Sequence, residues 1–202
     1  SNILNADTGF DPRGVVTASI SPTGLTPERI DAIRSELATI PGVSGVGFTT
    51  HLPLDWGDQA GPAHRRGDPV DHDWLAMGGF RVVTPEYFGV LRQPVLRGRA
   101  FTATDRAGSA PVAIITPGIA ERLWPGQDPI GHELVINWDT SIPDRIVGVV
   151  GNVRHDCFET PARPMIYWPH TRFSNDFMAV VVKTNRPALA VAPEMTRLVR
   201  ST

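Results

Sequence analysis

The chain has a single cysteine, Cys157, in 202 residues. An internal disulfide is therefore excluded. A chain of this length hides about 70% of the surface its unfolded form exposes, so a core alone can hold it. One free thiol fits a cytosolic protein, or an exported domain large enough to fold without staples. Charge of one sign is also lacking: 19 basic residues against 21 acidic ones leave a net charge of −2. That balance argues against the basic face a nucleic-acid binder needs and against charge-driven disorder. No apolar run approaches the roughly 18 to 20 residues that cross a bilayer, and no signal-peptide pattern opens the chain. Opening on Ser1-Asn2, the chain reads as a piece of something longer. Its lack of membrane helices would then say nothing about the whole.

The standard catalytic signatures are missing as well. There is no G-x-x-x-x-G-K-[ST] loop to cradle a nucleotide phosphate. Gly45-Val46-Gly47 and Gly148-Val149-Val150-Gly151 lack the third glycine of a dinucleotide fingerprint and sit in strand-like surroundings. They read as places where another backbone comes close. Gly42-Val43-Ser44-Gly45-Val46 misses the nucleophile elbow by its last residue. No H-E-x-x-H and no paired-cysteine zinc pattern occurs.

What the chain has is punctuation: 19 glycines and 19 prolines, which predict short strands with frequent reversals. Val15 to Ile20 alternates as a half-buried strand. Thr26-Pro27-Glu28 opens a helix, with a capping hydroxyl, a proline at its favoured first position and an acid at the positive end. Ile30, Ile33, Leu37 and Ile40 form its stripe. Pro41-Gly42 ends that run, and Val43 to Thr50 is a second strand. Leu52 to Asp73 has no period and is expected to be a long exposed loop. Extended structure resumes at Phe80 to Val83, and a short helix follows through Tyr87, Phe88 and Leu91. Pro111 to Ile115 is a buried strand, and Thr116-Pro117 starts a short helix ending by Trp124. Leu134 to Ile136 and Arg145 to Val150 suggest a strand pair. Pro164 to Trp168 and the stronger Phe177 to Thr184 are further strands. A last helix turns Leu189, Ala192, Met195, Leu198 and Val199 inward, with Pro193 inside the pattern. Arg92, Arg97 and Arg99 are expected on turns.

The two chain ends mirror each other. The expected class is α+β with two lobes. A split β-α-β lobe of ferredoxin or porter-like type would take residues 1–78 and 164–202. A mixed α/β lobe, residues 79–163, would be inserted into it.

Three clusters could carry chemistry. His155-Asp156-Cys157 could pair an imidazole with a thiolate, although a lone cysteine is more often a small buried hydrophobe. Asp71-His72-Asp73, with His51, Asp55, Asp58 and His64, could gather around a divalent metal, but the spacing matches no ligand pattern and a solvated loop is the simpler reading. Of Trp56, Trp74, Trp124, Trp138 and Trp168, core burial is the ordinary fate of each. Trp56 is the exception. It lies in the polar loop beside Leu52, Pro53 and Leu54, so Leu52, Leu54 and Trp56 are the candidate partner contact.

Several stretches, in order, resemble the MacB-like periplasmic core domain of ABC-type permeases of the FtsX-like class, most of all the duplicated permeases common in acidobacteria. They are GFDPRGVVTASIS from Gly9, LATIPGVSGVGFTTHLPL from Leu37, FRVVTPEYFGVLRQPVLRGRAFTATD from Phe80, and PVAIITPGIAERLWPGQDPIGHEL from Pro111. RIVGVVGNVRH from Arg145, PMIYWPH from Pro164 and MAVVVKTNRPALA from Met178 complete the set. Tyr87-Phe88 leading to Leu96-Arg97-Gly98-Arg99, and Leu123-Trp124-Pro125-Gly126 leading to Asp128-Pro129-Ile130-Gly131, carry most of the likeness. Thr116-Pro117 departs from it, and the loop from Leu52 to Asp73 matches no family pattern.

The resemblance implies a non-enzymatic, extracytoplasmic domain hung between two transmembrane helices of the same permease, with no catalytic residues, no cofactor and no metal. A cytoplasmic ATPase would act on it indirectly through those helices. A periplasmic adaptor or substrate would be its outer partner, and nucleic acid would not. The chain ends should then lie close together. The alternative is a small-molecule or peptide-binding module that uses a cleft between the lobes.

Overall fold

The computed structural model describes residues 14–20, 25–52, 59–69, 75–136, 139–152, 163–173 and 177–201. In chain order the elements are β1 (Val15–Ile20), α1 (Pro27–Leu37), β2 (Val43–Thr49), β3 (Ala60–Arg65), β4 (Ala76–Val83), α2 (Tyr87–Leu91), β5 (Val95–Gly98), β6 (Val112–Ile115), α3 (Pro117–Leu123), β7 (Glu133–Ile136), β8 (Asp139–Val150), β9 (Met165–Pro169), β10 (Met178–Thr184) and α4 (Ala188–Ser201). The fold is mixed α+β with a sheet-rich core.

The chain ends meet on one sheet. β10 lies between β1 and β2, antiparallel to both. It reads as an unbroken apolar run because both of its faces are covered. Met178, Val180 and Val182 join Ile30, Ile33 and Leu37 of α1 and Val191 and Met195 of α4. Val181 points the other way, into a cluster around α2. Each fully buried aliphatic side chain on α1 contributes about 2 kcal/mol. The start of that helix is fixed locally: Arg29 N donates to Thr26 Oγ1 at 3.3 Å, and Pro27 occupies the first turn.

The middle of the chain closes on itself. β4 pairs with β3, β3 with β7, β7 with β8, β8 with β6, β6 with β9, and β9 returns to β4. These strands form a ring. The period of two decides which side chains fill it. Ala113 and Ile115 of β6 and Ile166 and Trp168 of β9 share one cluster with Ile119 and Leu123 of α3 and with Trp124 just after it. Val112 and Ile114, with Met165 and Tyr167, face a second cluster with Tyr87, Phe88, Val90 and Leu91 of α2. Both tryptophans described, Trp124 and Trp168, are buried. Asp144 of β8 is buried with them and takes hydrogen bonds from Trp168 Nε1 at 2.9 Å and Arg172 Nε at 3.3 Å.

The end sheet and the ring join at a narrow seam. β2 and β4 share one register pair, Thr49 opposite Val83. Thr50 N donates to Val82 O and Thr84 N to Phe48 O, each at 3.0 Å. The threonine side chains reinforce it: Phe48 N donates to Thr84 Oγ1 at 3.0 Å and Val82 N to Thr50 Oγ1 at 3.2 Å. α2 packs on this seam. A Cβ on Gly47 would stand 2.9 Å from Tyr87 Cα, and one on Gly45 would stand 3.0 Å from Val90 Cγ2. A Cβ on Gly148 would collide with the carbonyl oxygen of Arg99, and one on Gly151 would meet Pro94 Cγ at 3.0 Å. Gly47 and Gly148 therefore serve close backbone approach, as their setting suggested, while Gly45 and Gly151 make room for side chains.

Three expectations need correction. The span Leu52 to Asp73 is not all loop, because it contains β3, paired on both sides. Its buried residues, Gly61, Ala63 and His64, are too small or too polar to give an apolar alternation. Arg97 lies in β5 rather than on a turn. That strand is exposed along its whole length, so no apolar face marked it. Leu189 does not face inward; it is 90% exposed, and Val191 takes the buried place. α4 begins at Ala188, so Leu189 lies in its first turn and Pro193 in its second, while Ala192, Met195, Leu198 and Val199 pack on the core as expected.

Candidate functional site

A groove of about 370 Å³ lies on the ring, between β5, α3 and the turn that follows α3. Its shape comes from local sequence. α3 ends at Leu123, Trp124 caps it, and Gln127 N closes a turn on Trp124 O at 3.0 Å. Gly126 sits in that turn at φ +70°, a conformation side chains resist. Asp128 Oδ1 then accepts from Ile130 N at 3.2 Å, which holds the turn open toward β5. Leu96, Ala120, Trp124 and Val149 give the groove apolar walls, and Arg97, Glu121 and Asp128 give it charge. Arg97 and Asp128 approach to 3.9 Å across it, both well exposed. Solvent screening leaves such a pair little worth. The groove can hold an apolar side chain or a small amphipathic molecule, and it offers no nucleophile beside a base.

A smaller hollow of about 210 Å³ lies between the loop 105–111 and residues 169–172. Asp105 organises its rim. Arg99 grips the carboxylate with two bonds, at 2.6 and 2.8 Å, and Thr102 N adds a third at 2.8 Å. Burial pushes the Asp105 carboxyl up, but the Arg99 and Thr102 bonds outweigh it and hold it below the usual range.

The candidate partner contact is only partly placed. Leu52 is half-buried and packs against the α2 cluster. Its carbonyl accepts from Arg81 Nη2 at 3.0 Å. Leu54 and Trp56 lie outside the described residues, as do Asp55, Asp58, Asp71, His72, Asp73 and the whole of His155-Asp156-Cys157. His51 and His64 are described. Among the described residues no group of three or more His, Cys, Asp or Glu could hold a metal.

Sequence reasoning missed three polar groups in the interior. Arg81 is fully buried in β4 and also reaches Tyr87 Oη at 3.4 Å. The other two are Asp144 and His170. Arg81 stands between Phe80 and Val82, Asp144 between Pro143 and Arg145, and His170 between Pro169 and Thr171, and no local pattern marks any of them as buried.

A family model describing the MacB-like periplasmic core domain matches residues 2–198. The chain belongs to this family. Among curated relatives it is 39% identical over 75 residues to the pyoverdine export ATP-binding/permease protein PvdT of Pseudomonas putida, a match covering 37% of this chain and 11% of that protein. It is 41% identical over 64 residues to the macrolide export ATP-binding/permease protein MacB of an Azoarcus species, covering 31% and 9%. The matched stretch thus spans about a tenth of the length of these relatives. Two solved structures share the fold. The periplasmic region of MacB from Actinobacillus actinomycetemcomitans has a TM-score of 0.64 at 15% identity, covering all of this chain and 89% of that one. The extracellular domain of the noncanonic ABC-type transporter YknZ from Gram-positive bacteria has a TM-score of 0.60 at 18% identity, covering 91% and 94%. As a MacB-like periplasmic core domain, the chain has no described helix long and apolar enough to cross a membrane.

Proposed function

We propose that this domain is the non-catalytic, extracytoplasmic relay of an inner-membrane ABC transporter permease. It has two lobes: a porter-like lobe from the chain ends and an inserted lobe built around the ring. The observation that carries the reading is the placement of the first strand and the last helix on one sheet. Movement of the flanking transmembrane helices, driven by a cytoplasmic ATPase, then acts on both ends of one packed unit. The seam at Thr49 and Val83 passes that movement to the ring, and the ring or the loop holding Leu52, Leu54 and Trp56 meets a periplasmic adaptor or substrate. A well-packed core transmits displacement because it deforms little.

The test is made in the whole transporter. A six-residue Gly/Ser spacer between this domain and its following transmembrane helix should abolish export and leave ATP hydrolysis intact. Unchanged export would overturn the relay. Leu54→Ser with Trp56→Ser should lower export if the loop is the contact, and unchanged export would remove the loop from it.

A second reading, a binding module for a small molecule or a peptide, is favoured by the groove at Leu96 and Trp124. Its volume falls in the range of about 300–1,000 Å³ typical of ligand sites. Its lining belongs wholly to residues 96–149, which places it on the ring and away from the seam. Saturable quenching of Trp124 fluorescence by a ligand would support it.

A further inference from the structure

His170 stands where the end sheet, the ring and α2 come together. It directly follows β9, and its backbone N donates to Val83 O at 2.9 Å, next to the seam. Its side chain is buried, 5% exposed, yet neither ring nitrogen has a hydrogen-bond partner among the described residues. Buried polar groups are nearly always satisfied, so such an exception calls for an explanation. A second orphan belongs to Glu86, the N-cap residue of α2, whose Oε2 is buried and unpartnered among the described residues. Glu86 Oε1 forms an ion pair with Arg34 Nη1 of α1 at 3.4 Å, and Arg34 Nε meets Asp31 at 3.4 Å. The charged groups near enough to act on His170 are Glu28, Asp31 and Arg34 on α1 and Glu86 at the start of α2.

We propose that His170 is a pH-sensitive latch, which holds α1 of the end sheet against the β9–α2 corner of the ring while its imidazole is neutral and loosens it when the ring takes up a proton in mildly acidic medium. The direction follows from the balance at the site. Burial disfavours the imidazolium and is the largest influence; Asp31, Glu86 and Glu28 favour it, and Arg34 opposes it, with the outcome that His170 is held below the ordinary histidine value. A histidine lowered in the closed form takes protons more readily once the contact opens. The closed contact is therefore fully stable above about pH 6.5, the value of a free imidazole, and weakens as the pH falls from there toward the lowered value. Histidine is the side chain suited to this, because small shifts carry it across the range between pH 5 and 8.

The experiment uses the 202-residue chain and two readouts. Imidazole proton resonances, followed from pH 8 to 4, should show one histidine titrating below the ordinary range, and that signal should vanish in His170→Phe. Amide exchange, corrected for its intrinsic pH dependence, should show protection of Ile30, Ile33 and Leu37 falling several-fold more between pH 7.5 and 5.5 than that of Ile146 and Val149. The difference should be absent in His170→Phe. Should that variant fail to fold, His170→Gln replaces it, a polar side chain that cannot take the proton. The proposal is overturned if His170 titrates at or above the ordinary value, or if acid loosens α1 equally in the variants. Neither readout depends on export, so failure here leaves the relay reading untouched, and failure of the relay leaves the latch standing.

Discussion

Replacing Asp144 with alanine removes an acceptor that ties β8 to β9 through the interior of the ring. Trp168 Nε1 donates to its Oδ2 at 2.9 Å, and Arg172 Nε donates to its Oδ1 at 3.3 Å. Asp144 is 4% exposed and Trp168 is 3% exposed, so water cannot take over the indole bond. A hydrogen bond to a charged group is worth about 1.5–3 kcal/mol, and removing one partner of a buried ion pair costs about 3–5 kcal/mol. The Arg172 side chain keeps 17% exposure and also lies 5.1 Å from the centre of the Phe173 ring, so it is not stranded when the carboxylate goes. The lower end of the range therefore applies, and Asp144→Ala should cost about 3 kcal/mol. For a chain of this length that is about 6–12 °C in Tm. Asp144→Asn, whose amide oxygen still accepts from the indole, should lose about half as much. Urea unfolding followed by far-UV circular dichroism measures all of these without using the tryptophans as reporters. A cycle with Trp168→Phe isolates the indole bond, with a coupling of about 1 kcal/mol expected. If Asp144→Ala costs less than about 1 kcal/mol, the carboxylate is not the bridge described.

Glycine substitutions test the seam. Gly47→Ala would drive a methyl group to 2.9 Å from Tyr87 Cα and should cost about 1–3 kcal/mol by overpacking. Gly89→Ala, in α2 with nothing within 4 Å, should stabilise by about 0.5–1 kcal/mol. Thermal melts of the pair read both signs. The phase of α4 is checked by Leu189→Ser, which should change stability by less than about 0.5 kcal/mol, and by Val191→Ala, which should cost about 2 kcal/mol. Equal effects would contradict the burial described. Asp105 is held below the usual carboxylate range, so its contribution is full above the unfolded value near pH 3.9 and is lost as the pH falls through that value toward the lowered one. Wild type should therefore lose stability more steeply than Asp105→Asn below about pH 4, measured as the urea midpoint against pH.

Elements that bury aliphatic side chains on a regular period were legible in the sequence. α1 carries Ile30, Ile33 and Leu37 at helical spacing behind a capping threonine, and β10 carries three consecutive valines; both stand where the pattern put them. β3 was not legible, because its inward positions are Gly61 and Ala63 and its middle residue is Pro62. It is a strand through its two neighbours rather than through its own propensity. β5 was missed for the opposite reason, having no buried face at all. Leu189 misled because it extends the α4 stripe one step too far, into a first turn where it is 90% exposed, while Ala192, Met195, Leu198 and Val199 do face the core. The groove was half visible. Leu123-Trp124-Pro125-Gly126 promised a sharp turn, but its position against Leu96 and Arg97 depends on β5 pairing with β8. His170 was invisible as a buried group, since nothing local distinguishes it from a histidine on a turn.

The ring has a consequence for how this chain can vary. In an open sheet, a strand can gain or lose a residue and the change runs out harmlessly at the margin. In a closed circuit the stagger of every strand is fixed by all the others. A one-residue insertion in β3, β4, β6, β7, β8 or β9 would travel round and return to where it began, out of step. Length changes among natural variants should therefore gather in the connections, and a variant with a longer ring strand should carry an offsetting bulge elsewhere on the hoop.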